Sequence, residues 1–393
     1  MEPAQPSLIV PDVSPDALAA VTAEIAASAA EYDASAALPV RGLEIAHRAG
    51  LLTATVARRY GGPELDPLDV IRIIVALGEG DASVALLVAN NLNVHSSQAH
   101  KGQWPEKYYA DLLRRSAAGP ALANTVRAEP ELGTPARGGI PGTIARRTED
   151  GWSLTGRKEY ASGGPALAYH VVWVTVDEPG GDPDRPRVGH LVVPGDLPGI
   201  TWLNTWDHLG LRASNTHDVV YDDVRVPADA FMEIPRGADG VYRDGSATLG
   251  MQGFNHAALY VGVARAARTA FAKFTHERVP GSLGRPIATT EHIQTAAGEI
   301  DAQITQAETL MYGAMLRSLA GDTTLRPQLP LIKVQIARSV VAAVNTAVAS
   351  LGNFGLTRHQ PFERLLRDAL CVRVHPPQED SALLSAGRRV LGL

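Results

Sequence analysis

Cysteine is nearly absent from this chain of 393 residues, in which Cys371 is the only one. A single cysteine cannot form an internal disulfide, and it excludes a metal site built from a cysteine cluster. No stretch approaches the ~18 consecutive apolar residues that a membrane-spanning helix needs. The N-terminal segment also lacks the basic start and apolar centre of a secretory signal. Together these absences predict a cytoplasmic protein with no membrane segment.

An excess of positive charge is missing too. Lysine and arginine number 36 against 42 for aspartate and glutamate, the net charge is −6, and the arginines are spread without clusters. Proteins that bind nucleic acids usually carry a basic face or stripe. We therefore expect no nucleic-acid partner.

Several well-known site motifs are absent as well. The chain has no GxGxxG after a strand, no GxxxxGK(S/T), no HExxH and no GxSxG. It therefore has no visible nicotinamide site, phosphate-binding loop, zinc-protease helix or serine nucleophile elbow. His95 and His100 lie five residues apart, a spacing that suits one helix face poorly. No metal site is predicted.

The pattern of apolar, proline and glycine residues divides the chain into three regions. The first region, residues 1–119, shows helical patterns. One helical face is formed by Val70, Ile71, Ile74, Val75 and Leu77. The pattern resumes at Asp81 after residues 78–80 (Gly-Glu-Gly), where we expect a break. The region predicts an N-terminal helical domain.

Residues 120–229 are rich in proline and glycine and contain short β-prone runs. Residues 143–147 and 152–155 flank an Asp150-Gly151 turn, which predicts a hairpin. Several short strands at this spacing predict a small β-barrel. The further strands are expected at residues 171–176, 188–193 and 218–226.

Residues 230–393 return to long helices. Apolar residues recur every three or four positions at Ile293, Ala297, Ile300, Ile304, Ala307, Met311 and Met315. Residues 332–351 form a second such helix, which Gly352 ends. Long apolar-striped helices joined by short loops are typical of a four-helix bundle. The sequence thus predicts an α+β multidomain protein with a helical domain (1–119), a small β-barrel (120–229) and a helical bundle (230–393).

Four segments, taken in this order, resemble the acyl-CoA dehydrogenase superfamily. They are residues 49–52 with Tyr60-Gly61-Gly62, Ala128-Glu129-Pro130 with residues 152–164, residues 209–214 with 219–227, and residues 352–355 with 362–369. The segments span nearly the whole chain, and their order makes the resemblance specific. It implies the acyl-CoA dehydrogenase fold, a flavin between barrel and bundle, and a homotetramer or dimer, of which we expect the homotetramer.

The resemblance also implies which residues hold the flavin. Tyr160, Ala161 and Ser162 would wall the isoalloxazine, with the Ser162 hydroxyl near its N5 atom. Arg278 would hold the diphosphate and adenine of FAD. The family's phenylalanine does not follow Arg278, and Ala349 stands where the family has a glutamine. Both FAD and FMN therefore stay open.

The family's dehydrogenases need a glutamate as the base that removes the α-proton of the acyl thioester. It comes nine residues after the arginine of Arg367-Asp368-Ala369, which here is Pro376. A subset of the family places it on the first long C-terminal helix, which here is Gln252. Neither residue can take a proton. Glu379 and Asp380 lie close behind, and we expect them at the start of the last helix, where acidic residues favour the positive dipole end.

The loop that contains His375 resembles instead the flavin-dependent monooxygenases of this fold, such as dibenzothiophene monooxygenases and amino-sugar N-oxygenases. These enzymes bind reduced flavin, add dioxygen and hold a C4a-hydroperoxide beside the substrate. Ser162, His375, His95 and Asn124 match positions that such enzymes use for catalysis. Each also has a purely structural interpretation: Ser162 as a turn residue, His95 as an exposed helix residue, Asn124 as a strand-end residue and His375 as a packed loop residue.

Three functions follow from the resemblance. The favoured one is a monooxygenase that receives reduced flavin from a separate reductase and acts on a small molecule. The second is an acyl-CoA dehydrogenase with a relocated base, which passes electrons to a separate carrier protein. The third is a catalytically silent flavin-binding relative.

Overall fold

The N-terminal region is helical, as the sequence predicts, and it begins with well-marked helix starts. The computed structural model describes residues 7–132, 139–182, 184–242 and 254–393. Asp66 and Asp81 cap two helices, because their carboxylates accept the Leu68 and Ser83 amides at 2.8 and 2.7 Å. The helices are α1 (Pro15–Ser35), α2 (Val40–Arg48), α3 (Pro67–Gly80), α4 (Ala82–Lys101) and α5 (Glu106–Ala118).

The break predicted at residues 78–80 is wrong, because α3 continues through Gly80 and ends only at Asp81. The glycines serve a close approach of α3 to α6 (Asn255–Glu277). A Cβ atom at Gly78 would lie 2.1 Å from the carbonyl oxygen of Leu259, and one at Gly262 would lie 2.2 Å from that of Val75. Gly78 and Gly262 therefore lie inside helices because the close contact between α3 and α6 leaves no room for a side chain.

Gly78→Ala is expected to lower the free energy of unfolding by about 1–3 kcal/mol, the usual cost of overpacking. The atom it would meet belongs to the backbone of another helix and cannot rotate away. Gly298→Ala is the matched control, because Gly298 lies in a helix with nothing near its Cβ position. Gly298→Ala is expected to raise the free energy of unfolding by up to about 1 kcal/mol, because alanine has the higher helix propensity. Urea unfolding of both variants tests the pair, and equal effects would contradict the close packing.

The central region forms one eight-stranded sheet in the order β6-β7-β3-β2-β4-β5-β8, with β1 paired to β4. The predicted hairpin is confirmed, since β2 and β3 pair antiparallel across the Asp150-Gly151 turn. The three further predicted strands are also found. Sequence patterns missed β1, β6 and β8, which are runs of four or five residues without the hairpin turn that marked the equally short β2. The strands are β1 (Leu122–Val126), β2 (Ile144–Arg147), β3 (Gly151–Ala161), β4 (Leu167–Asp177), β5 (Val188–Pro194), β6 (Ile200–Leu203), β7 (His217–Pro227) and β8 (Phe231–Ile234).

The C-terminal region contains the two long helices that the sequence predicts, and α8 packs against α6, α7 and α10. The apolar stripe from Ile293 to Met315 lies buried on one helix, α7, except that Ala297 is exposed and Ala296 is buried in its place. The helices after α6 are α7 (Glu291–Leu319), α8 (Leu329–Ser350), α9 (Asn353–Leu356), α10 (Phe362–Leu370) and α11 (Glu379–Leu391). Strand β8 lies beyond residue 229, at which the sequence placed the start of the last domain, and the domain boundaries stay a prediction.

One helical stretch, Thr323–Ser350, is long and apolar enough to cross a membrane, with a mean hydropathy of 1.3. It is the one such stretch in the part of the chain that the structure describes. More than half of its apolar window, 56%, is buried inside the protein. Helix α8 makes up most of it and lies in the bundle, so the stretch is weak evidence for membrane insertion.

A network of charged side chains joins all three regions at Arg367. Its guanidinium donates to both carboxylate oxygens of Asp33 at 2.9 and 2.6 Å, to Glu363, and to the carbonyl oxygen of Leu209. The neighbouring Asp368 accepts the Leu211 amide at 2.7 Å. The Arg-Asp pair of the fourth motif therefore fastens α10 to α1 and to the loop before β7.

Candidate active site

Ser162 lies directly after β3, where the sheet faces the helices, and its side chain is buried. Asn124 of β1 donates its amide to the Ser162 carbonyl oxygen at 3.0 Å. Thr216 donates to the Ser162 hydroxyl at 2.9 Å, and Ser214 lies 2.7 Å from Thr216. A hydroxyl has one hydrogen and two lone pairs. Ser162 therefore retains its own hydrogen and one lone pair for a ligand.

Tyr160 precedes this serine and points outward. The pairing of β3 with β7 shifts register between Lys158 and Ala161, and Tyr160 has a left-handed backbone with φ +56°. Such a bulge re-aims a side chain, and a positive φ at a bulky residue is held only by its surroundings. The Tyr160 ring is 56% exposed and meets the ring of His208 edge-on at 6.3 Å. The bulge therefore presents a flat aromatic surface beside the buried hydroxyl.

His375 forms a second group with residues from α6 and α4. Its Nδ1 lies 2.9 Å from the Tyr260 hydroxyl, and its ring centroid lies 5.0 Å from that of His256. His256 Nε2 lies 2.9 Å from the Asn90 side-chain oxygen. Sequence reasoning missed His256. The signal that could have found it is its spacing of four residues from Tyr260, which puts both on one helix face.

Both histidines are neutral at pH 7. Burial lowers the pKa of His256 from 6.5 to about 4, and the charges of Arg127 and Lys333 add to this effect. Burial also lowers the pKa of His375 well below 6.5, followed by the charges of His256 and Lys333. Among the described residues no carboxylate contributes to either shift. Since the Asn90 oxygen can only accept, His256 carries its hydrogen on Nε2 and offers a lone pair on Nδ1.

Helix α4 and strand β1 bring the two groups near each other. The side-chain oxygen of Asn91 accepts the amide of Ala123 at 2.8 Å, next to Asn124. On the same helix, Asn90 contacts His256. Arg127, three residues after Asn124, is close enough for its charge to act on His256. The pair Ser162–Asn124 and the pair His256–His375 are thus each connected to α4, through Asn91 and Asn90 respectively.

His95 makes its hydrogen bond to a different part of the protein from Ser162, Asn124 and His375. It is fully buried on α4, so the interpretation as an exposed helix residue is wrong. Its Nδ1 lies 3.0 Å from the Tyr109 hydroxyl of α5. Its Nε2 has no hydrogen-bond partner among the described residues. Arg278 also lies apart, exposed at the end of α6 with its guanidinium 5.0 Å from the Phe354 ring centroid.

The buried His95 is expected to make the protein less stable in acid. Desolvation lowers its pKa from 6.5 to about 4, so the unfolded chain takes up a proton that the folded protein refuses. The stability that this difference contributes is complete above pH 6.5 and is lost as the pH falls towards 4. The loss amounts to about 3 kcal/mol. Urea unfolding between pH 7 and 4 should show a shallower pH dependence for His95→Gln than for the wild type, and identical slopes would refute this.

A cavity of about 300 Å³ lies between α4 and the sheet. It is lined by Ser97, Gln98, Lys101, Trp104, Thr125 and His190, among others. Val94 also lines it and directly precedes His95, while Thr125 directly follows Asn124. The cavity is mixed in polarity and of a size for part of a small organic molecule.

No acidic side chain occupies the place of the family's glutamate among the described residues. Glu379 and Asp380 lie in the first turn of α11, as predicted. Glu379 is partly exposed and accepts from the Arg338 guanidinium at 3.1 Å. Gln252 lies outside the described residues. Within the described ranges there is also no group of three histidine, cysteine, aspartate or glutamate side chains that could hold a metal ion.

Three family models match the chain in succession. They are the acyl-CoA dehydrogenase N-terminal domain at residues 16–108, the middle domain at 125–224 and the C-terminal domain at 239–377. Each match falls on the corresponding helical, sheet or helical region of the structure. The predicted fold class is confirmed.

Relatives of two kinds are similar to the chain over most of their length. L-evernosamine nitrososynthase of a Micromonospora species is 31% identical over 90% of this chain and 83% of its own. A putative acyl-CoA dehydrogenase of Bacillus subtilis is 27% identical over 92% of both chains. The structure of KijD3 in complex with FMN and a dTDP-linked amino sugar superimposes with a TM-score of 0.81, at 26% identity, over 97% of this chain and 95% of its own.

Proposed function

Because the chain belongs to the acyl-CoA dehydrogenase family, we propose that it is a monooxygenase that uses reduced flavin and dioxygen. Membership makes it a flavoprotein among oxidoreductases, while its relatives include both nitrososynthases and dehydrogenases. The observation that carries the proposal is the neutral histidine pair, His256 and His375. His375 directly precedes Pro376, the position at which the resemblance expects the glutamate base of a dehydrogenase.

The residues present fit a flavin. An isoalloxazine has broad flat faces and a polar edge, so it needs an aromatic or apolar wall and a few hydrogen-bonding groups. Tyr160 offers the exposed ring, and Ser162 offers a buried hydroxyl with one hydrogen and one lone pair available. When bound, the reduced flavin supplies the electrons that activate dioxygen. FMN is the flavin of the KijD3 complex, and on that likeness we propose FMN over FAD.

In the proposed mechanism Ser162, Asn124 and Thr216, which lie on or next to strands of the sheet, contact the flavin or orient the group that does. Asn124 holds the Ser162 carbonyl and Thr216 orients the Ser162 hydroxyl, which would be available to accept a hydrogen bond from the polar edge of a bound flavin. Water is excluded because Ser162, Thr216 and Ser214 are all buried. A fixed hydroxyl in a dry site keeps the proton on that edge.

In the proposed mechanism His256 and His375 accept and return the proton of the substrate. Tyr260 engages Nδ1 of His375, which leaves Nε2 to exchange a proton, and Asn90 keeps Nδ1 of His256 available as an acceptor. A neutral imidazole accepts the proton that the substrate loses. Because burial lowers both pKa values, the charged ring returns the proton readily.

The partners follow from this chemistry. We propose a small molecule as substrate, with its remote part in the cavity beside Trp104 and Lys101. A dTDP-linked amino sugar is the first probe to use, since KijD3 holds one. The electrons would come from a separate flavin reductase, because the chain has no visible nicotinamide motif. We also propose the homotetramer that the resemblance implies.

Titration with oxidised and reduced FMN and FAD tests whether the protein binds a flavin, which the proposed function requires. We expect saturable binding of at least one form in the micromolar range, lost in part in Tyr160→Ala. Product formation from the probe with reduced flavin and dioxygen would then establish oxygenation. Absence of binding by all four flavin forms would refute the proposed function.

Acyl-CoA substrates of short, medium and long chain are expected to leave the bound flavin oxidised. The reason is that Pro376 carries no carboxylate and that Glu379 is engaged by Arg338 on α11. The measurement is flavin bleaching in the absence of oxygen with an artificial electron acceptor. Bleaching that Glu379→Gln abolishes would mean that the base has moved, and the dehydrogenase function would replace the monooxygenase.

A further inference from the structure

Lys333 is a buried cation that the proposed mechanism does not use. It lies on α8 with its side chain almost completely enclosed. Buried lysines are rare and are normally paired with a carboxylate. No ion pair of Lys333 is found within the described ranges, although Glu379 acts on it from a distance. Something other than a counter-charge must compensate the desolvated ammonium.

Three backbone carbonyl groups provide that compensation. The ammonium donates to the oxygen of Val372 at 2.8 Å, of His375 at 2.7 Å and of Pro377 at 3.3 Å. An ammonium has three hydrogens, so all of its donors are used on one loop. Val372 lies in the short helical turn Cys371–Arg373 that follows α10. Although burial lowers the pKa of Lys333 to about 8, the ammonium is the main form at pH 7.

The loop has few other ways to be held. Proline has no backbone N–H, so residues 376 and 377 can be fastened through their carbonyl oxygens but not through amides. The side chain of Val374 is exposed and contributes little packing. The His375 imidazole is held at one atom by Tyr260. The backbone that carries it is held by Lys333, from a different helix.

We propose that Lys333 is the positioning residue of the candidate active site, because its ammonium holds the loop that places His375 against Tyr260 and His256. This inference rests on the proposed function, since His375 handles the proton there. It gives the buried ammonium of Lys333 a role in the proposed reaction, although burial of a charge by itself lowers the free energy of unfolding. Lys333 does not touch the reacting groups itself.

The first test measures hydrogen exchange of the amides in residues 371–375 and 378 of the full chain. Lys333→Met keeps an unbranched apolar side chain as far as the ε position and removes the ammonium with all three donors. We expect exchange there to accelerate on the order of 10- to 100-fold, as the loss of hydrogen bonds in a closed site predicts. Lys273→Met, at an exposed position of α6, should leave these amides unchanged. Unchanged exchange in Lys333→Met would overturn the proposal.

The second test connects the loop to His375. With reduced FMN bound and a dTDP-linked amino sugar as the probe, product per dioxygen is measured for Lys333→Met, His375→Ala and the double variant. Lys333→Met should lower the yield severalfold but add nothing in the His375→Ala background, because residues that act as a unit are not additive. Additive losses would overturn the positioning role even if exchange accelerates. Absence of flavin binding in the wild type would instead refute the proposed function, and the exchange measurement would still decide how the loop is held.

Lys333→Gln covers the case in which the methionine variant does not fold. A glutamine amide keeps two donors without charge, so the exchange of the same amides should accelerate less than in Lys333→Met and more than in Lys273→Met. Equal exchange in Lys333→Gln and the wild type would overturn the need for the ammonium.

Discussion

Lys158→Met is expected to lower the free energy of unfolding by about 3–5 kcal/mol, the usual cost of leaving one partner of a buried ion pair alone. Lys158 is fully enclosed in β3 and donates to Glu129 at 2.6 Å. Glu129 also accepts the amides of Gly142 and Thr143 at 2.7 and 3.0 Å. Burial alone would raise the pKa of Glu129, but the Lys158 charge and these donors lower it. The carboxylate therefore stays charged, and without Lys158 it is a charge with no counter-charge in the interior.

Chemical unfolding at pH 7 measures this effect. Lys107→Met is the matched control, since Lys107 forms a solvent-exposed ion pair with Asp229, and such pairs contribute little. The double variant Lys158→Met/Glu129→Gln should recover part of the loss, because it removes both buried charges. If Lys158→Met is as stable as Lys107→Met, the buried pair does not hold the loop after β1 against β3.

His375→Ala is expected to slow product formation by roughly 10²–10⁴, the usual contribution of a positioned acid or base. Flavin binding should be unchanged, because the His375 ring contacts Tyr260 and His256 and not the sheet side of the site. His256→Ala should slow the same step. The measurement is product formation from a dTDP-linked amino sugar, or from whichever substrate is found, with reduced flavin in excess. His359→Ala is the control, since His359 is exposed before α10.

Ser162→Ala should act differently from His375→Ala. Loss of one hydrogen bond in a closed site is worth roughly 1–3 kcal/mol, so oxygen should still be consumed but released as hydrogen peroxide in place of product. Thr216→Val should act in the same direction with a smaller effect, because it removes the donor that orients the Ser162 hydroxyl. If all three variants keep the wild-type ratio of product to dioxygen, then neither Ser162 nor His375 is near the chemistry.

Much of the fold could be predicted because its signals are local. The apolar stripe from Ile293 to Met315 predicted α7, and the Asp150-Gly151 turn predicted the hairpin of β2 and β3. The order of helical, sheet and helical regions followed from these patterns. The break predicted at residues 78–80 was wrong because a glycine can serve a local turn or a distant contact, and here the contact with Leu259 decides.

The candidate site was predictable only in part. The motif resemblance named Ser162, Asn124 and His375, and the structure puts Ser162 and Asn124 in contact. Their roles stay a prediction. Sequence reasoning passed over His256 and Lys333, because one histidine at a helix start and one lysine within an apolar helix carry no signal of their own.

The sequence by itself determined the long helices, the hairpin, the order of the three regions and the family, because helix stripes, turns and motifs depend on residues within a few positions of each other. Only the tertiary structure decided which side chains meet. Asn90 and His256 are 166 residues apart, and Tyr260 and His375 are 115 apart. Such contacts depend on how α4, α6 and the loop after α10 pack, and that packing is a property of the whole core. The same packing partly buries His256 and His375 and lowers their pKa values. It also buries Lys333, whose ammonium then holds the loop.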